Sequence, residues 1–190
     1  MAGCGITRER ALTWLSECIS NTNLIKHCLA TEAIMRKLAL DQERPGEEEV
    51  WAMTGLLHDL DYEKTENDFS RHGVETAGML EGLLPDEAIR AIRSHNAENN
   101  GFARSTVFDH LLAASENLTG LITATALVQS DRKLSGVEPA SVIRKMGKSG
   151  FARSVSRDCI RECEKAGYSL EDFVAISLEA MKEISDELGL

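Results

Sequence analysis

The chain has 190 residues, 43% of them hydrophobic, which suits one globular domain with a real core and hardly two. Acids outnumber bases 31 to 21, for a formal net charge of -10, which argues against a general binder of long nucleic acids, whose footprint is basic. Aromatics at 5% and only three prolines disfavour β-sandwiches and barrels and favour helices. Residues 1–10 lack the apolar stretch of a signal peptide. The longest uncharged run, residues 117–130, falls short of the roughly 20 apolar residues that a membrane-crossing helix needs. The five cysteines are odd in number and contain no Cys-x-x-Cys. Cys159 and Cys163 stand four apart, but no nearby second pair completes a zinc site. Together these features predict a cytoplasmic protein with reduced thiols and no membrane contact.

Nearly every segment reads as helix. Residues 7–19 carry Ala11, Leu12, Trp14, Leu15, Cys18 and Ile19 in a stripe near the 3.6 period. Asn21 or Asn23 can cap a second helix running to about residue 41, with Leu24, Ile25, Cys28, Leu29, Ile34, Met35 and Leu38 facing a core. Pro45-Gly46 breaks the chain, and Glu47, Glu48 and Glu49 fill the first turn of a third helix that ends around His58-Asp59-Leu60-Asp61. A polar loop over 62–71 precedes a helix over 72–83. Pro85 opens the next, which ends near His95, and Asn99-Asn100-Gly101 marks a turn. Residues 106–129 form the least charged helix, with only Asp109 and Glu116 ionisable as acids, so it is predicted to be buried nearly all round. Helices over 141–146, 154–166 and 169–188 complete an all-α reading, with a core region at about 21–130 and a C-terminal helical extension at about 131–190.

The strongest local signal is Gly55-Leu56-Leu57-His58-Asp59-Leu60-Asp61, where adjacent imidazole and carboxylate follow an apolar helical run. Alone a His-Asp pair means little. Here His27 lies early on the preceding mostly apolar helix, His72 opens the next, His95 closes the one after, and Glu116 sits in the most apolar helix. Imidazole and carboxylate together suit a divalent transition ion such as Mn, Fe, Co, Ni or Zn, with Mg also compatible. A buried carboxylate is costly without a partner, and a metal is one remedy.

The order His27, His58-Asp59, His72, His95 and then an acid resembles the HD-domain superfamily of metal-dependent phosphohydrolases. The likeness is ordered over about residues 24–127. Leu24-Ile25-Lys26-His27, Ala91-Ile92-Arg93-Ser94-His95-Asn96, Leu118-Thr119-Gly120-Leu121-Ile122 and Ser149-Gly150-Phe151-Ala152-Arg153 resemble a group of small bacterial and archaeal HD-domain proteins. The resemblance implies an HD-type helical bundle in which His27, His58, Asp59 and Glu116 surround a first metal. Asp59 would bridge to a second metal held by His72 and His95. The family's last ligand is ordinarily aspartate, where this chain has Glu116; Asp109, seven residues earlier and on a similar helix face, is the substitute candidate.

Residues 132–157 carry seven bases against the single acid Glu138, a net of +6 within an acidic chain. Such a segment can be a solvated face or can attract phosphate. Arg153, with Lys64, Arg71 and Arg93 nearer the ligands, are the candidate phosphate contacts. The leading expectation is a phosphohydrolase acting on a small phosphate ester, in particular a nucleotide, with one or two metals, Asp59 at the metals and Asp61 as a proton acceptor. Long nucleic acid and membrane are not expected partners; a homodimer is compatible. Two other readings stand: a di-iron oxygenase of similar ligand order, for which His72 and His95 are essential, and a non-catalytic metal-stabilised regulatory module, favoured by the Glu116 departure. His110 has no assigned role.

Overall fold

The computed structural model describes residues 3–190; residues 1 and 2 of the expected domain lie outside it. The described residues form twelve α-helices and no strand. In chain order these are α1 (Arg8–Cys18), α2 (Thr22–Asp41), α3 (Glu48–Leu57), α4 (Tyr62–Thr65), α5 (Val74–Leu80), α6 (Asp86–Ser94), α7 (Ala97–Asn100), α8 (Val107–Leu127), α9 (Pro139–Met146), α10 (Arg157–Arg161), α11 (Leu170–Glu183) and α12 (Ser185–Leu188). None is long and apolar enough to cross a membrane.

Local chemistry sets the helix starts. The hydroxyl of Thr7 accepts from the Arg10 amide, and Asn21 Oδ1 accepts from the Asn23 amide. Thr106 and Asp109 form a reciprocal capping box at the start of α8. Pro139 occupies the first turn of α9, where its missing N–H costs nothing. Burial of apolar faces then assembles the bundle. α8 is buried on most of its circumference, as its composition predicts, and packs against α2, α6, α9, α10 and α11. α2 also packs on α3 and α11, so the C-terminal extension closes over the same core. Trp51 on α3 stacks on Phe108 of α8 with ring centroids 4.5 Å apart.

Several expected boundaries shift, and the loop expected over 62–71 opens with the one-turn helix α4. The helix expected over 72–83 begins only at Val74, because Gly73 stands at φ 80° and takes the chain through the left-handed region just after His72. The helix expected over 154–166 is split into α10 and a 3₁₀ segment, Glu162–Ala166, after an irregular stretch. The last helix breaks between Glu183 and Ser185.

Candidate metal centre

α2, the end of α3, the turn before α5 and the end of α6 deliver five ligand-type side chains to one buried point. His27 Nε2, His58 Nε2 and Asp59 form one group, and Asp59, His72 and His95 form another. Asp59 Oδ1 lies 3.2 Å from His58 Nε2, 3.3 Å from His72 Nε2 and 3.5 Å from His95 Nε2, while Oδ2 is 3.5 Å from His27 Nε2. Asp59 is therefore shared by both groups.

Two glycines permit this convergence. A methyl group on Gly55 of α3 would sit 2.7 Å from the Thr31 carbonyl oxygen of α2, so only glycine allows the two helix backbones this close. His27 lies one turn before Thr31 and His58 just after Gly55, so this approach sets the spacing of the first group. Gly73 does the same for the second group. A Cβ there would lie 2.7 Å from the Ile92 carbonyl oxygen and 2.9 Å from the His95 ring.

Hydrogen bonds fix the ring tautomers. His58 Nδ1 donates to the Gly55 carbonyl at 2.8 Å, and His95 Nδ1 donates to the Ile92 carbonyl at 2.6 Å. His72 Nδ1 donates to Asp61 Oδ1 at 2.7 Å. The Thr119 hydroxyl donates to the Glu116 carbonyl at 2.7 Å, so its oxygen accepts from His27 Nδ1, also at 2.7 Å. Every neutral ring thus carries its proton on Nδ1 and turns an Nε2 lone pair inward. Two Nε2 atoms face each other at 3.2 Å between His27 and His58, and two at 3.1 Å between His72 and His95. Lone pairs cannot bond one another. Four of them converging on a carboxylate require protons or cations, and this donor set fits divalent transition metals.

The charges agree with that arrangement. Burial drives His58 down to about 3, despite the attraction of Asp59, and burial lowers His27 as well. Burial works against the Asp59 charge too, but the surrounding His58, His72 and His95 outweigh it and hold the carboxyl well below its ordinary range. For His72 burial is overcome by bonds to Asp59 and Asp61, which raise it to about 10. Without metal, His72 is the ring that keeps an extra proton.

The expected site residues separate in space. His27, His58, Asp59, His72 and His95 come together. Glu116 lines the same cavity but lies outside both groups, with its carboxylate bonded to the Asn117 amide. Burial and the proximity of Asp59 raise its pKa well above the carboxylate norm. Asp109 does not reach: its carboxylate caps α8 and faces Arg90 at 3.4 Å. Asp61 has both oxygens engaged, one by His72 and the other by the amides of Gly73 at 2.9 Å and Thr76 at 2.8 Å. Burial opposes its ionisation, but these donors lower its pKa nonetheless.

A cavity of about 490 Å³ opens over the centre, with Tyr62, Phe69, Asn96, Glu98, Asn117 and Ser154 among its walls. None of the four expected phosphate contacts lines it. Lys64 and Arg71 both pair with Glu75, Arg93 pairs with Glu81 and lies over the Phe102 ring, and exposed Arg153 directly precedes Ser154 of the lining. His110 pairs with Glu162 at 2.7 Å. That acid also receives Arg104, whose buried guanidinium donates to the Ser94 and His95 carbonyls at the end of α6. Sequence reasoning missed Arg104, Thr119 and the two glycines as supports of the ligands. Gly55 and Thr119 stand inside stretches quoted above for their residues, Gly73 directly follows His72, and Arg104 carries no local signal.

No curated protein and no solved structure matches the chain. A family model for the HD domain matches residues 24–126, more than half of the chain and the run from just before His27 to the last turn of α8. With its ordered histidines and shared aspartate, the chain belongs to the HD-domain family.

Proposed function

We propose that the protein is a metal-dependent phosphohydrolase acting on a small phosphate ester, a nucleotide. HD membership implies the coarser part of this reading, a metal-dependent hydrolase type of function. The observation that carries it furthest is the pair of ligand groups sharing Asp59 at the floor of a cavity large enough for a small molecule.

His27, His58 and Asp59 would hold one divalent ion, and Asp59, His72 and His95 a second. When bound, such ions supply Lewis acidity toward a phosphoryl oxygen and acidify water. The protein's own residues do the rest. The Nδ1 bonds to Gly55, Ile92, Asp61 and Thr119 hold the four rings in one tautomer and one orientation. Asp61 is a positioning residue for His72, since both of its oxygens are occupied. In the reaction, the oxygen of water bonds to phosphorus and the ester P–O bond breaks. The departing oxygen takes a proton, leaving an alcohol and inorganic phosphate. Glu116 is the lining carboxyl outside both groups, and its environment favours the protonated form, so we assign it the proton that the departing oxygen receives.

The test is ester cleavage by protein loaded in turn with Mn, Fe, Co, Ni, Zn and Mg, read as inorganic phosphate release from a panel of monoesters and as alcohol release from a panel of diesters. Turnover abolished by His58→Ala with the fold retained supports the reading; no release from any member with metal bound refutes it. The completeness of the Asp59–His72–His95 group also supports a di-iron oxygenase reading. Two irons per chain with substrate-dependent oxygen uptake would select that chemistry instead.

A further inference from the structure

We infer that the cavity selects a phosphomonoester with one phosphate on an aromatic-bearing group, a nucleoside monophosphate, through a Tyr62–Phe69 platform and a wall free of basic side chains. The inference rests on the phosphohydrolase reading for its phosphate end and on separate observations for its selectivity.

The first observation is charge. Among the described residues, no lysine or arginine lines the cavity, whereas Asp59, Glu98 and Glu116 do. The buried guanidinium of Arg104 is consumed by Glu98, Glu162 and two main-chain carbonyls. Proteins that hold di- and triphosphates surround the extra phosphates with Lys, Arg or glycine-rich amide loops. Each terminal phosphate brings about -1.5 to -2 charges. Bound cations can offset one such group at the centre. A second and a third would find no lysine or arginine on the wall to offset them, and an uncompensated charge in a partly desolvated cleft is costly.

The second observation is an exposed aromatic pair beside the ligands. Tyr62 and Phe69 are 36% and 38% exposed, both line the cavity, and their rings meet edge to face at 5.6 Å. Each also meets the His72 ring at a near-perpendicular angle, at 5.2 Å and 5.8 Å. The pair is held in place. The Tyr62 amide donates to the Asp59 carbonyl at 2.9 Å, and the Asn96 amide group donates to the Phe69 and His72 carbonyls at 2.8 Å and 3.2 Å. Two aromatic faces fixed within one residue contact of the metal ligands form a surface on which a planar ring can stack while its phosphate reaches the centre.

The experiment is equilibrium dialysis of Mn-loaded protein, with free Mn in excess over nucleotide, against hydrolysis-resistant methylene analogues of adenosine monophosphate, adenosine triphosphate and ribose 5-phosphate. The monophosphate is expected to bind at least ten-fold more tightly than either competitor. Phe69→Ala is expected to weaken monophosphate binding about ten-fold, leaving Mn stoichiometry and ribose 5-phosphate binding unchanged, with Phe69→Tyr restoring the preference. Tyr62→Ala provides the second variant should Phe69→Ala unfold. Triphosphate or ribose 5-phosphate binding as tightly as the monophosphate overturns the inference, as does binding of none of them or indifference to both substitutions. Phosphate release from a non-aromatic sugar phosphate alongside such a failure leaves the hydrolase reading standing. Selective monophosphate binding with no release from any ester refutes the hydrolase reading while the selectivity survives.

Discussion

Replacing Gly55 by alanine would place a methyl carbon 2.7 Å from the Thr31 oxygen, 2.8 Å from its carbonyl carbon and 2.9 Å from the Glu32 nitrogen. All three are backbone atoms of α2 and cannot turn aside as a side chain would. Restoring ordinary contact at 3.4 Å requires α2 and α3 to separate by 3.4 - 2.7, about 0.7 Å along that line. Overpacking of this kind costs about 1–3 kcal/mol, or a fall in Tm of roughly 2–12 °C for a chain of this size. The separation acts directly on the site, because His58 Nδ1 is bonded to the Gly55 carbonyl and moves with it, away from His27 on α2. Affinity of the His27–His58–Asp59 group for Mn is therefore expected to drop about ten-fold, as when a support of a ligand is lost. Gly78→Ala is the control: it lies within α5 with nothing within 4 Å of its added methyl, and should be neutral or stabilising by up to about 1 kcal/mol. Calorimetry of metal-free and Mn-loaded proteins reads both effects. A Gly55→Ala protein as stable as Gly78→Ala, with unchanged Mn affinity, would show that the helix approach does not set the ligand spacing.

Thr119→Val keeps shape but removes the acceptor for His27 Nδ1; Mn affinity at the first group should fall about ten-fold with little loss of Tm, and unchanged affinity would refute the tautomer argument. Arg104→Met leaves Glu98 and Glu162 without their buried partner and uncaps the end of α6. It should cost roughly 3 kcal/mol in urea unfolding, and a loss under 1 kcal/mol would contradict that role. The pH behaviour of the metal-free protein follows from His72. Its pKa is raised to about 10, so its stabilising contribution is complete below the unfolded value near 6.5 and is lost as pH rises through about 10. Mn binding at the second group displaces that proton, so affinity there should rise about ten-fold per pH unit across the same window. Binding at the first group, where burial already keeps His27 and His58 neutral, should stay flat above about pH 6.5. Proton release measured with Mn titrations at pH 7, 8 and 9 distinguishes the two, and a pH-independent second site refutes the assignment. Glu116→Gln should cut turnover by 10²-fold or more while Mn binding persists; loss of Mn instead would make Glu116 a ligand.

The five clustered ligands were legible because each stands at a helix end or on a mostly apolar stripe, where an imidazole or carboxylate is out of place unless it serves a site. The long uncharged α8 announced its own burial in the same way. The bases were not legible. Lys64, Arg71 and Arg93 lie near ligands in the chain, but their reach is decided by acids on neighbouring turns, Glu75 and Glu81, which draw them off the cavity. Asp61 likewise reads as a free acid beside Asp59 until the turn through Gly73 brings two amides and the His72 ring onto its oxygens.

By itself the amino-acid sequence determined an all-helical chain, its HD-type ligand order and the metal chemistry those ligands imply, because periodicity and residue type are local properties. Only the tertiary structure decided that Glu116 stands outside the two groups that share Asp59, that four rings are locked with Nε2 inward, and that the cavity wall is aromatic and acidic rather than basic. Those outcomes depend on which helix faces meet and how closely, and backbone contacts at Gly55 and Gly73, distant in sequence from their partners, set that distance.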